Sequence, residues 1–202
     1  MAADLTEAAA SAAGAQRAAL IWHPDTPGEA VWRIGVEVNF VAGLSLSCHY
    51  SLHGDLARVH VPGARAGRRA DGLWQHTCFE MFVAADNDPG YFEFNFSPGL
   101  DWAAYRFGAY RDRMTLANLT QAPGLNVRRT PDRLDLSATV HLAGMGGVFA
   151  ARRLRVALAA VVEEDSGRLS YWALQHAPGN PDFHHPDGFA LELETAVPSG
   201  GA

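Results

Sequence analysis

Residues 91–97 read Tyr-Phe-Glu-Phe-Asn-Phe-Ser, and this run constrains the fold more than any other. Successive side chains of an extended strand point to opposite faces, so Phe92, Phe94 and Phe96 share one side and Tyr91, Glu93 and Asn95 the other. The three rings mark the face turned to a core. The other row combines an acid and an amide with an aromatic ring, a set suited to contacting a ligand. Residues 78–83 repeat the alternation, with Glu80 between Phe79 and Met81, and an Asp-Asn-Asp-Pro-Gly turn joins the two runs. A third run, residues 102–107, follows a Ser-Pro-Gly break.

The same period recurs along the chain. Trp32, Ile34, Val36, Val38 and Phe40 are expected on one face of a strand over 31–40, and Leu44, Leu46, Cys48, Tyr50 and Leu52 on one face of its hairpin partner over 44–53. Residues 56–61 read as a further strand. Residues 108–124 are irregular, with one helical turn expected around 113–118. Residues 125–130 and 133–142 form a second hairpin, and 154–162, apolar on both faces, suits a strand covered on both sides. Residues 169–176 and 189–194 complete the set. About 10–12 short strands at regular spacing, with no sustained helical period, predict an all-β fold. A two-sheet antiparallel β-sandwich is the expected form, with an up-and-down barrel as the alternative. The domain is expected over 16–195, with a flexible tail over 1–15 and a second tail over 196–202.

Composition narrows function by exclusion. Hydrophobic residues make up 48% and charged residues 19%, enough apolar material for a sizeable core. The net charge of −6 gives no electrostatic footprint for nucleic acid or an anionic membrane, and neither is an expected partner. No run approaches the roughly 18 apolar residues of a membrane span. Residues 1–20 lack the positive charge and apolar core of a secretory signal, and Cys48 and Cys78 are too few for a disulfide framework. Free thiols in a cytoplasmic protein are expected.

The order DGLWQHTCFEMFV, YFEFNFSP, DWAAYRF and GRLSYWALQHAPGNPDFHHPDGFALEL resembles a bacterial group of DOMON-like proteins related to family 9 carbohydrate-binding modules. The likeness spans roughly residues 18–195. It implies a jelly-roll type of β-sandwich that binds sugars between aromatic side chains, often with calcium. Other members of the wider superfamily bind haem b through Met, His or Lys. The resemblance implies a class of ligand and no reaction.

Ligand-binding candidates are Trp74, Glu80, Glu93, Asn95, Trp102, Arg106 and Trp172. Carboxylates and amides meet sugar hydroxyls in fixed directions, and aromatic rings stack on the sugar face; Arg106 is a possible partner for a buried carboxylate. The spacing fits equally a solvated outer face with ordinary cross-strand pairs, and tryptophans serve as core anchors. His76, Met81, His176, Asp182, His184 and His185 could ligate a metal or haem. No fixed-spacing metal signature occurs, and the His and Asp residues of the 177–188 loop could cap turns instead. Asp86, Asn87 and Asp88 are the oxygen-rich candidate for calcium, though they also read as a turn. His76 and Cys78 would share a strand face as a possible base and nucleophile. Glu163 and Glu164 read as solvated. These residues favour a non-catalytic small-ligand module, with a carbohydrate as ligand. The alternatives are a haem module using Met81, His76 or His176, a hydrolase using Glu80 and Glu93, and a structural or interaction role.

Overall fold

Alternating rows become paired strands because each backbone N–H and C=O needs a partner once the apolar row is buried. The computed structural model describes residues 14–41, 45–64, 66–86, 88–145 and 153–195. Among these, the strands are β1 (Gln16–Trp22), β2 (Val31–Val41), β3 (Ser45–Gly54), β4 (Cys78–Ala85), β5 (Tyr91–Phe96), β6 (Trp102–Phe107), β7 (Thr115–Leu116), β8 (Gly124–Arg129), β9 (Arg133–His141), β10 (Arg153–Glu163), β11 (Leu169–Ala173) and β12 (Leu191–Glu194). All pair antiparallel, in the order β7-β6-β5-β4-β10-β11-β1-β2-β3-β9-β8, with β12 also on β10.

The antiparallel all-β expectation is met, but the two halves form one curled sheet instead of two separate ones. The joint is β1. Gln16 to Leu20 pair with β2, whereas Ile21 and Trp22 pair with β11. Both halves feed one core: Ile34, Leu46 and Tyr50 from one side meet Phe79, Met81 and Phe94 from the other. Tyr50 is fully buried, its ring 5.0 Å from that of Phe79, and its hydroxyl donates to the Glu80 carbonyl at 2.7 Å.

Several local expectations change. Trp32 is 61% exposed and Val31 is buried, because the register slips between Val31 and Arg33. That bulge adds one residue and exchanges the two faces at this point. Opposite it, Gly54 packs so closely that a Cβ would lie 2.5 Å from the Ala30 carbonyl oxygen. Residues 56–61 form no strand. A turn closes from Arg58 N–H to the Asp55 carbonyl, and only a single bridge, Val59 to Glu164, follows. The helical turn expected near 113–118 is the short β7. Arg111 and Arg113 sit at φ 50° and 52°, outside right-handed helical space. Glu164 is buried instead of solvated; its Oε1 accepts from the backbone N–H groups of Glu29 and Ala30 at 2.7 and 2.9 Å.

The feature that positions the site is double burial. Every residue of β4 and β5 is buried, on both faces. The face opposite the main core carries a second cluster, including Phe82, Tyr91, Tyr105 and Phe107, covered by Leu73, Phe183 and Phe189.

Candidate functional site

On this second face Glu80 lies across from Asn95 on β5 and Ala159 on β10, while Asn95 lies across from Ala103 on β6. Ala103, Ala157, Ala159 and Ala173 belong to the buried cluster on the same face. A cavity of about 390 Å³ has Glu80 and Glu93 in its wall. Trp74, Tyr105, Phe107, Tyr171 and Phe183 supply aromatic surface, and Arg111 and His184 add polar groups. The volume falls in the roughly 300–1,000 Å³ range of small-ligand pockets.

The polar groups are linked unevenly. Asn95 Nδ2 donates to Glu93 Oε1 at 2.7 Å. Glu80 Oε1 and Asn95 Oδ1 are buried without a hydrogen-bond partner among the described residues. Burial, and then the neighbouring Glu93 charge, raise the Glu80 pKa well above the usual carboxyl value. Burial also raises that of Glu93, against the opposing Asn95 hydrogen bond and Arg111 charge. His184 is pushed down to about 4 by burial and the Arg111 charge, with Asp182 opposing. Its Nδ1 is 2.8 Å from the Tyr91 hydroxyl, which accepts from the Arg111 N–H at 3.2 Å and so has its own proton to give. With Nδ1 as acceptor, a neutral ring carries its proton on Nε2, 3.8 Å from Glu93 Oε2.

Two loops close over the cavity and are clamped together. Arg111 donates to Asp182 Oδ1 from Nε at 3.2 Å and from the terminal Nη2 at 2.6 Å. Tyr110 also donates its hydroxyl to Asp182, and the His184 N–H donates to Oδ1 at 3.1 Å. The left-handed backbone of Arg111, costly for a non-glycine residue, is held by these bonds.

The structure therefore brings Trp74, Glu80, Glu93 and Asn95 together and separates the other ligand-binding candidates from them. Trp102 and Arg106 have the opposite parity to Tyr105 on β6. Trp102 packs against the main core, and Arg106 lies over the Phe92 ring at 5.7 Å. Trp172 is a core residue, edge-on to Trp22 with Nε1 donating to Ser170 Oγ at 3.0 Å. The adjacent residue, Tyr171, faces the cavity.

The metal and haem candidates do not converge either. Met81 is fully buried in the main core. His176 donates from Nε2 to the Ile21 carbonyl at 2.9 Å, His185 Nδ1 accepts from the Asp187 N–H at 3.3 Å, and Asp182 and His184 are the clamp and cavity residues just described. His76 Nδ1 is 2.7 Å from Glu163 Oε2. Asp88 Oδ1 accepts from the Gly90 N–H at 2.8 Å, closing a turn; Asn87 lies outside the described residues. Cys48 and Cys78 are unpaired and buried, and burial followed by the Glu80 charge raises the Cys78 thiol far from nucleophilic range.

Sequence reasoning missed Tyr105, Phe107, Arg111, Met114, Tyr171, Pro181 and Phe183. The parity of β6 could have found the first two, since they alternate with Trp102 and Arg106. Arg111, Met114, Pro181 and Phe183 lie outside the strands, where no period indicates a direction.

No protein-family profile matches the chain, and no curated protein does. Among solved structures, a proposed carbohydrate-binding protein from Bacteroides uniformis matches with a TM-score of 0.60 and 15% identity, over 90% of this chain and 85% of that one. A family 9 carbohydrate-binding module from Caldicellulosiruptor kristjanssonii in complex with glucose matches at 0.46 and 13%, over 91% and 87%. The same organism's module with cellotriose matches at 0.41 and 14%, over 80% and 75%.

Proposed function

We propose that the chain is a non-catalytic module that binds a small carbohydrate in the cavity over Glu80, Asn95 and Glu93. The observation that carries this reading is the Glu80 carboxyl: a buried oxygen at the cavity wall with no donor among the described residues. A buried polar atom without a partner costs about 1–3 kcal/mol, and a ligand hydroxyl removes that cost. Glu93 stands beside it as a second acceptor, so adjacent hydroxyls of one sugar ring have two carboxyls to meet. Trp74, Tyr105 and Phe183 offer apolar faces for the ring's C–H groups. The fold shared with the Bacteroides uniformis protein, itself a proposed carbohydrate binder, points the same way. Isothermal titration calorimetry with a panel of mono- and oligosaccharides tests the proposal. One site per chain for at least one sugar is the expected result; heat of dilution alone across the panel would contradict it.

One observation favours a second reading, a carboxyl-dependent hydrolase. Two neighbouring buried acids have different surroundings, Glu93 holding an amide hydrogen bond and facing Arg111 while Glu80 holds neither. Unequal carboxyls can divide acid and base roles. Mass spectrometry of oligosaccharides after prolonged incubation separates the two: intact sugars fit the binding module, and cleaved ones the hydrolase.

A further inference from the structure

We propose that His60, His76 and Glu163 form a binding site for one divalent transition-metal ion, with zinc the best match to the donor set. One ligand atom from each residue lies within 4.8 Å of the other two. His76 Nδ1 and Glu163 Oε2 are already 2.7 Å apart, and the two imidazole centroids are 5.7 Å apart. Two neutral imidazoles and a carboxylate are borderline donors that suit zinc and its first-row neighbours better than calcium, which requires more oxygens.

The backbone gives the cluster its fixed geometry. The His60 N–H donates to the Glu163 carbonyl at 2.8 Å. The Glu163 N–H donates to Thr77 Oγ1 at 3.1 Å, and the Thr77 hydroxyl donates to the His60 carbonyl at 2.6 Å. Thr77 is buried and follows His76 directly. The three ligand-bearing segments, distant in sequence, are therefore tied to one another through a closed set of hydrogen bonds. Little chain entropy remains to be lost when an ion binds.

At metal–ligand distances of about 2.0–2.2 Å, tetrahedral ligand atoms stand roughly 3.3–3.6 Å apart. The present spread closes to that value by rotation of the histidine side chains, both of which are exposed. Three protein ligands leave a fourth position to water or another molecule. Val161 lines the cavity and Glu163 follows it on the same face of β10, about 7 Å along the strand. The cluster therefore lies beside the cavity wall, two residues along β10 from Val161.

The test uses the full chain stripped with a chelator and titrated with Zn²⁺ against a chromophoric competitor, with Co²⁺ absorption as a report on coordination. The expected result is one ion per chain. His60→Ala, His76→Ala and Glu163→Gln should each weaken binding by more than the roughly tenfold that loss of an outer-shell partner costs. His53→Ala should not. Circular dichroism confirms folding of each variant. If Glu163→Gln fails to fold, the two exposed histidine variants decide the matter. No binding by the wild-type chain, or undiminished binding in the His60→Ala/His76→Ala double variant, would overturn the proposal.

Discussion

The two faces of β4 and β5 are equally hidden from water and are built differently. One carries Phe79, Met81, Phe94 and Phe96 against the facing half of the sheet, where the packing is close and the buried Tyr50 hydroxyl is paired with the Glu80 carbonyl. The other places Glu80, Glu93 and Asn95 beside Phe82 and Tyr91 under two loops, with a cavity at the acids. Both rows have the same period and the same burial, so burial alone does not identify the site. What distinguishes them is satisfaction: among the described residues the first face has no buried side-chain polar atom left unpaired, and the second holds Glu80 Oε1 and Asn95 Oδ1 without partners.

The largest test of this contrast is Phe94→Ala. Removing a fully buried ring should cost on the order of 3–5 kcal/mol in denaturant unfolding while leaving affinity of the folded protein unchanged. A smaller loss than in exposed controls would place the core elsewhere.

Next comes pH dependence on the loop-covered face. The His184 pKa is depressed from 6.5 to about 4. Its contribution is therefore fully present above about pH 6.5 and lost as pH falls through about 4, an effect on the order of 3 kcal/mol. Glu80 and Glu93 act oppositely, because their folded pKa values are raised. Their contribution is complete below the unfolded carboxyl pKa and lost as pH rises through the folded values. Stability curves from pH 4 to 8 should thus show His184→Gln flattening the acid side relative to wild type, and Glu80→Gln improving relative stability toward high pH. Parallel curves would mean that neither group is perturbed.

Legibility in the sequence followed the same division. Strands such as β2, β3, β5 and β9 were readable because one buried row imposes period two. Glu80, Glu93 and Asn95 were readable for the same reason, as polar breaks opposite that row. Trp32 turns outward at a bulge, which no composition signal announces, and Trp102 and Trp172 pack at the main core, a placement that their position in the family-like stretches does not reveal. Glu164 was hidden because its partners, the backbone N–H groups of Glu29 and Ala30, are 134–135 residues away. The clamp from Arg111 to Asp182 spans 71 residues between two loops, and nothing local in either loop encodes that pairing.

Smaller effects sharpen the comparison. Glu93→Gln keeps shape but replaces one carboxyl oxygen with an amide N–H, so sugar affinity should fall by roughly 5- to 100-fold, or about 1–3 kcal/mol. The melting temperature without ligand should move far less than in Phe94→Ala. If unfolding is as severe, Glu93 is structural. Asp182→Asn loosens the partly exposed clamp, and calorimetry should register a loss of at most about 1 kcal/mol in stability. A faster sugar off-rate should accompany it in stopped-flow fluorescence; an unchanged rate would remove the loops from the binding account.

The most direct measurement is a crystal structure of the chain with the tightest-binding sugar of the panel. The account predicts a sugar ring in the cavity against Trp74 or Phe183, with hydroxyls within hydrogen-bond distance of Glu80 Oε1 and the Glu93 carboxyl. A sugar bound anywhere else on the sheet, with Glu80 Oε1 still without a donor, would contradict it.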